Sequence, residues 1–475
     1  MPNIKDGNIW HYSTTYCQEA SLSSGVIWFL FPLLFDYRAT YGSPVFYRMG
    51  KILIKGGTVV TRGKSYKADV LVENGIITAI ESNICADAET EVFDATNSIV
   101  SYGLADVHVH LREPGFSQKE TIASGTMAAA HGGVTTLCSM PNLNPAPDSP
   151  ENLAIQQAKI DSQAVVQVVP FATITKSRSG SEVVDVESLL PHCAGFSDDG
   201  SGVQNGEVML AAMKRIAAVD GIIAAHCEDE SLLRGGYIHD GEYAVKHNHR
   251  GICSESEWGP IVRDTELVAQ SGCRYHICHM SAAGSVEALR AAKRRGLQMS
   301  GETAPHYLTM TDCDIAEEGR FKMNPPIRSA SDRDALIEGI KDGTIEVIAT
   351  DHAPHTAEEK SRGLESSAMG VVGLETSFAV VYTKLVRSGI ITLEKAIELM
   401  CDNPRRIFRL GGALAVGERA DIAVFDTTTP FTVDSNNFLS KGKATPFEGW
   451  QLYGKCRLTL FGGKKVWEEI TKENK

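Results

Sequence analysis

No two cysteines stand three residues apart anywhere in the 475-residue chain, and their total of eleven is odd. The absence of any Cys-x-x-Cys pair, together with the odd count, argues against a disulfide framework. Several cysteines, Cys138 and Cys278 among them, lie inside apolar runs, as reduced thiols of a cytoplasmic enzyme do. Positive charge is also short: the formal net charge is −13 and no basic stripe stands out, which argues against nonspecific nucleic-acid binding. There is no low-complexity tract. A membrane-spanning run is missing too, since the apolar stretch 24–35 falls short of the roughly 20 residues a spanning helix needs. That stretch also lacks the charged flank and small-residue cleavage site of a signal peptide. Residues 1–48 therefore read as an upstream extension outside the fold, with membrane association as the lesser alternative.

What is present begins at Met49. Short β-branched segments at 52–54, 58–61, 68–72, 76–81 and 92–94 alternate with Gly, Asn and Asp turns, the texture of a small all-β unit. The same texture returns at 420–426 and 458–466. The two ends of the chain are thus expected to meet in one discontinuous β-sandwich made of 49–102 and 413–475. Between them, over 103–412, apolar strand candidates (134–139, 165–171, 195–196, 222–226, 275–279, 299–302, 347–350) alternate with helical stretches (120–131, 207–218, 264–271, 285–294). This α/β alternation favours a (β/α)8 TIM barrel, with a doubly wound sheet as the alternative. In such barrels the chemistry sits at the C-terminal ends of the strands.

Candidate ligands fall at those ends. In Asp106-Val-His108-Val-His110-Leu-Arg112 two imidazoles stand two residues apart, so a strand points both to one side. Downstream, 195–200 ends a short strand with Asp198 and Asp199 in a turn, which alone would read as a cap or an Asx-turn. The run 222–226 ends in His226, and 276–279 offers His276 and His279, of which the strand end favours His279 and leaves His276 structural. The run 347–350 leads to Asp351, followed by His352 and His355. Histidine nitrogen and carboxylate oxygen suit a borderline divalent metal such as Zn²⁺. Such an ion brings the pKa of bound water from about 15.7 towards 7, and a nearby carboxylate can shuttle the proton. Metal-assisted hydrolysis of an amide-like bond is the reaction class these residues support.

The same residues resemble a known family. From Met49 to the C-terminus the chain is similar to the dihydroorotases of the amidohydrolase superfamily, in the branch with an aspartate at the central ligand position. The resemblance rests on Asp-Val-His-Val-His-Leu-Arg-Glu-Pro-Gly (106–115), Ser-Met-Pro-Asn-Leu (139–143), Phe-Ser-Asp-Asp-Gly (196–200) and His-Cys-Glu-Asp (226–229). It continues in Cys-His-Met-Ser (278–281), Lys-Met-Asn-Pro-Pro-Ile-Arg (322–328), Thr-Asp-His-Ala-Pro-His (350–355) and Asn-Pro-Arg-Arg-Ile-Phe (403–408). It implies a barrel carrying a β-sandwich and one or two Zn²⁺ ions held by His108, His110, Asp199, His226, His279 and Asp351. By the same resemblance Asp199 would be the bridging member and Asp351 the general acid/base. It further implies that His110, Arg112, Asn142, Asn324, His355, Met369 and Gly370 contact the substrate. The implied reaction is the reversible cyclisation of N-carbamoyl-L-aspartate to L-dihydroorotate and water, in pyrimidine biosynthesis in the cytoplasm. Before Gly370 the family usually carries a bulkier aromatic residue or leucine, so Met369 departs from the pattern. The stretch 356–367 reads as a mobile loop near the site.

Two other readings stand beside this one. Hydantoinases and allantoinases share the His-x-His and the late aspartate, but they carry a lysine where this chain has Asp198-Asp199, and Lys214 is the nearest lysine in sequence. The pairing of Arg112 with Asn142 also suits a carboxylate-bearing substrate. Non-catalytic relatives that partner aspartate carbamoyltransferase lack ligands that are all present here. Association with that enzyme, or with a second copy of the chain, is left open by the sequence.

Overall fold

The computed structural model describes residues 50–61 and 63–469, and the expected extension at 1–48 lies outside the described residues. The β-rich beginning forms the strands Lys51–Thr61, Lys64–Glu73, Ile76–Glu81, Thr90–Asp94 and Ser98–Tyr102. The segments 52–54 and 58–61, separate in the sequence pattern, are one strand. Gly56 and Gly57 between them make a bulge rather than a turn, with Gly56 at φ +77° and its N–H donating to Asp69 Oδ1 at 2.7 Å. At the other end Ile422–Asp426 pairs antiparallel with Ser98–Tyr102 and with Lys455–Phe461, which turns back into Lys464–Glu468. The two ends of the chain therefore share one eight-stranded sheet.

At Gly103 the chain leaves this sheet for another. Its N–H donates to Asp421 O (2.9 Å), whereas the next residue, Leu104, donates to Gly133 O (3.0 Å). A Cβ at Gly103 would come within 2.2 Å of the Thr135 side chain, so only glycine allows this close approach. Leu104–Val109 then pairs in parallel with Val134–Ser139, and that strand with Gln167–Pro170. Bridges from Ala172 to Phe196 and from Phe196 to Ile223 lead on to Ile222–Ala225, Arg274–Ile277, Met299–Thr303 and Val347–Ile348, all parallel. His352 bridges back to Val109, and the circuit of parallel pairings closes on its first strand. Val107, Cys138, Phe171, Ala224, Cys278 and Val347, from strands or strand ends around that circuit, belong to one buried apolar cluster.

Helices separate these strands, and four of them start on a side-chain cap that satisfies otherwise orphaned N–H groups. Thr121 caps Ile122–His131, Ser149 caps Pro150–Gln163, Asn205 caps Gly206–Ala218 and Ser329 caps Ala330–Asp342. The helix expected at 264–271 is longer, Glu255–Ser271. Pro260 sits buried in its second turn. The stretch 356–367, expected as a loop, forms two short helices, Ala357–Lys360 and Gly363–Ser366. Thr356 and Glu359 cap the first of them reciprocally.

Candidate metal centre and active site

His108 lies in the strand Leu104–Val109 and His110 immediately after it; both rings face Asp351 Oδ1, at 3.5 and 3.0 Å from their Nε2 atoms. Asp351 follows the short strand Val347–Ile348 and adopts φ +48°, while His279 follows Arg274–Ile277 at φ +32°. Positive φ is costly for residues with a Cβ and is retained where the surroundings enforce it, often at functional sites. Both kinks fall at strand ends next to the same cluster. Asp199 Oδ2 is 3.5 Å from His110 Nε2, and its Oδ1 is 3.3 Å from His108 Nε2, 3.6 Å from His226 Nδ1 and 3.5 Å from His279 Nε2. Asp198 points away and pins the backbone, accepting from the N–H groups of Ile174 (2.9 Å) and Thr175 (3.2 Å) and from the Thr175 hydroxyl.

These spacings fit a bound metal. Two ligand atoms about 2.1 Å from a tetrahedral ion lie about 3.4 Å apart. The atoms of His108, His110 and Asp351, and those of His108, Asp199 and His279, each converge within 4.8 Å of one another. His108 Nε2 and Asp199 Oδ1 are buried without a hydrogen-bond partner, which is costly unless something else occupies their lone pairs. Burial acts to raise the Asp199 carboxyl, but the imidazoles of His108, His226 and His279 hold it well below the usual carboxylate range. Asp351 behaves alike: burial acts upward, and His108 and His110 bring it below its ordinary value. Cys278 lies close enough to His108 and Glu302 to be a third kind of ligand, but burial and Glu302 push its thiol far up, so it stays a neutral thiol.

Sequence reasoning missed the residue beneath this cluster. Glu302, at the end of Met299–Thr303, accepts from His108 Nδ1 at 2.6 Å and from His276 Nε2 at 3.1 Å, and its Oε1 also accepts from the N–H of His279 at 3.3 Å. Holding the His108 proton on Nδ1 leaves the Nε2 lone pair facing Asp199 and Asp351. His276, given a structural part by its place in the strand, is buried against Glu302 and Ser300. The signal for Glu302 was an acid at a strand end, the same form that singled out Asp351. Asp106 was missed as well; it accepts from the N–H groups of His108 and Thr350 and so ties the first strand to the one leading into Asp351. Burial pushes its carboxyl up to about 6.

Above the cluster opens a cavity of about 210 Å³, lined by every expected site residue except His108, which is fully buried below. Arg112 stands at φ +61° with Nε donating to Pro354 O (3.2 Å), and its Nη2 lies 3.4 Å from His355 Nε2. Burial lowers the Arg112 guanidinium to about 10, still charged at neutral pH, with Asp351 acting in the opposite direction. Asn142 Oδ1 meets His110 Nδ1 at 2.9 Å. Asn324 Nδ2 donates to Glu228 Oε1 (2.8 Å), while its Oδ1 is buried and unpartnered. Gly370, at φ +133°, has its carbonyl bound by the buried Lys360 ammonium group at 2.6 Å. That ammonium also donates to Lys322 O (3.0 Å) and Ala368 O (2.8 Å), which ties the 356–367 segment to the cavity wall. A second cavity, beside His131, Phe378 and Cys456, lies away from these groups, and its buried Glu375 already accepts from His131, Leu439 and Ser440.

With this geometry in hand, comparison with known proteins is informative. Residues 97–285 match the family model described as Dihydro-orotase-like. A dihydroorotase of Bacillus cytotoxicus is 46% identical over 426 residues, covering 89% of this chain and 98% of that protein. A Bacillus anthracis dihydroorotase is 46% identical over 421 residues, covering 88% of this chain and 98% of its own. Among solved structures, the L-hydantoinase (dihydropyrimidinase) of Arthrobacter aurescens superposes with a TM-score of 0.79 at 25% identity, covering 88% of this chain and 96% of that one. The dihydropyrimidinase of Brevibacillus agri gives 0.77 at 23%, covering 88% and 95%, which speaks to the fold alone. Extensive identity to named relatives and a shared fold with cyclic-amide hydrolases agree with the clustered histidines and aspartates: the chain belongs to the dihydroorotase family.

Proposed function

We propose that this chain is a zinc-dependent dihydroorotase, interconverting N-carbamoyl-L-aspartate and L-dihydroorotate plus water in the de novo pyrimidine pathway. The observation that carries the reading is that Arg112, Asn142 and His355 line the same cavity as the His/Asp cluster. A neutral cyclic amide has no use for a buried guanidinium, whereas dihydroorotate brings a carboxylate to it. His108, His110 and Asp351 would hold one ion, and Asp199, His226 and His279 a second. A bound divalent ion supplies Lewis-acid polarisation of a carbonyl and lowers the pKa of a coordinated water.

The protein's own groups do the rest. Arg112, Asn142 and His355 take the substrate carboxylate and fix the ring, with Asn324 and the backbone of Met369–Gly370 against its edge. Asp351, ionised at neutral pH, accepts the proton of the attacking water as oxygen bonds to the ring carbonyl carbon. It returns that proton to the ring nitrogen as the carbon–nitrogen bond breaks. In the direction of cyclisation Asp351 takes the proton from the ureido nitrogen as that nitrogen bonds to the side-chain carboxyl carbon. It returns that proton to the departing carboxyl oxygen, which leaves as water with a second proton from solvent as the carbon–oxygen bond breaks. His110, touching both Asn142 and Asp351, links the carboxylate-binding wall to the reacting one.

The closed circuit of parallel pairings supports reading 103–412 as a (β/α)8 barrel. The shared sheet of both chain ends supports 49–102 with 413–475 as its β-sandwich companion. The family resemblance alone carries the expectations of a cytoplasmic location and of assembly with a second copy or with aspartate carbamoyltransferase. Among the described residues, no helix is long and apolar enough to cross a membrane.

The test is turnover of L-dihydroorotate beside 5,6-dihydrouracil and allantoin. The proposal predicts hydrolysis of the first alone. Hydrolysis of dihydrouracil at a comparable kcat/KM would instead make the chain a hydantoinase-like enzyme.

A further inference from the structure

We propose that Lys119 is a positioning residue that keeps the hydrogen of the His355 ring on Nε2, the nitrogen that faces the substrate carboxylate beside Arg112. The inference deepens the function proposed above and rests on it for the identity of that carboxylate. Lys119 lies in the loop that follows the His-x-His strand, and its Nζ is 3.2 Å from His355 Nδ1. An ammonium group can only donate, so Nδ1 must accept and Nε2 must carry the hydrogen. The other side of the ring agrees: Nε2 is 2.7 Å from the carbonyl oxygen of Met369, which can only accept.

Arg112 Nη2, at 3.4 Å from the same Nε2, is then a second donor beside the first. Two donors side by side do not bond one another; Nε2 has one hydrogen, which the Met369 carbonyl takes in the free protein, so a carboxylate that displaces that carbonyl meets both donors at once. Lys119 thus acts on the substrate-binding wall without lining it.

The other charged groups around the ring are consistent with this assignment. Glu359 Oε2 lies 3.5 Å from Nδ1, but it already accepts from the N–H (3.0 Å) and hydroxyl (3.1 Å) of Thr356. Its other oxygen, Oε1, is held by Lys119 itself at 2.8 Å. Lys360 is engaged by three carbonyl oxygens. Burial, with Arg112 and Lys119 close by, lowers the His355 imidazole to about 3, which keeps it neutral. Without Lys119, the freed Glu359 carboxylate becomes the nearest partner of Nδ1 and draws a proton to it.

The experiment reads the ring directly by two-bond ¹⁵N–¹H correlation on the metal-replete, ¹⁵N-histidine-labelled enzyme at pH 7.5, with the His355 signals assigned through His355→Gln. Wild type is expected to show a neutral ring with hydrogen on Nε2; a hydrogen on Nδ1 overturns the proposal without any variant. Lys119→Met should move the hydrogen from Nε2 to Nδ1. It should also raise KM for dihydroorotate by about tenfold while kcat stays within about twofold. Lys119→Arg, which keeps a donor, should restore the wild-type spectrum and KM. Glu359→Gln removes the ion pair but retains the helix cap, and it should leave the tautomer unchanged. An unaltered ring in Lys119→Met, or the same tautomer change in Glu359→Gln, would show that Lys119 merely staples the loop. Because the spectrum is read without substrate, it stands even if dihydroorotate is not turned over, a failure that would count against the function and not the tautomer.

Discussion

Replacing Glu302 by glutamine keeps the shape of the side chain and removes its charge, and the effect should appear in metal affinity before it appears in folding. Glu302 is buried and holds His108 Nδ1 at 2.6 Å and His276 Nε2 at 3.1 Å. Burial acts to raise its carboxyl, but the two imidazoles outweigh burial and keep it ionised. A hydrogen bond to a charged group contributes about 1.5–3 kcal/mol, against about 0.5–1.5 for a neutral pair. Losing the charge therefore weakens each of the two contacts by about 1–1.5 kcal/mol. The share that reaches the metal acts through His108 Nε2, whose basicity falls because the Nδ1 hydrogen is held by a neutral amide oxygen in place of a carboxylate. Changes of this kind lower metal affinity about 10- to 100-fold, or about 1.4–2.8 kcal/mol. The assay is competition for Zn²⁺ against a chromophoric chelator, with thermal unfolding of the metal-free protein measured alongside. A zinc affinity within twofold of wild type, with folding intact, would refute the idea that Glu302 sets the ligand nitrogen of His108.

Other substitutions separate the assigned roles. Asp351→Ala should reduce kcat by at least about 10³-fold, because proton transfer is lost, while metal analysis still finds an ion held by Asp199, His226 and His279. Arg112→Ala should raise KM for dihydroorotate by about 10- to 100-fold with a smaller effect on kcat, and leave dihydrouracil binding unchanged. Asp106→Asn addresses stability and its pH dependence. The folded-state carboxyl is raised by burial from 3.8 to about 6, so between those values the folded protein binds more protons than the unfolded chain. Stability contributed by this group is therefore fully present below about pH 4, is lost as pH rises through about 6, and amounts to about 3 kcal/mol at most. The asparagine variant should lose that pH dependence in chemical denaturation between pH 4 and 6.5. An unchanged slope would mean that Asp106 stays ionised in the folded state.

Much of the site was legible in the sequence because barrel-like alternation places functional residues at strand ends, and strand ends can be read. Each of His108, His110, Asp199, His226, His279 and Asp351 follows an apolar run, and the structure gathers all six into contact distances. Strand alternation allows only one of His276 and His279 to face the site, the strand end favours His279, and the two rings do face different surroundings. Pairings that span the chain were not legible. Glu302 meets His108 across 194 positions, and no local pattern says which acid a histidine will find. Lys119 and His355 are 236 positions apart. The 356–367 segment carries a loop-like composition, yet it becomes helical because Thr356 and Glu359 cap it and Lys360 finds three carbonyl acceptors. The helix Glu255–Ser271 carries a buried Pro260 in its second turn, so tertiary packing there outweighs the local preference against proline.

The central claim is that one cluster of histidines and aspartates, loaded with metal, opens the dihydroorotate ring. Its most direct test is to follow dihydroorotate turnover while zinc is withdrawn by a chelator and then returned, with metal content measured on the same sample. The account predicts activity that falls in proportion to bound zinc and recovers when it is restored, with His108→Ala both metal-poor and inactive. Full turnover by protein shown to be free of metal, or zinc bound in full by His108→Ala, would contradict it.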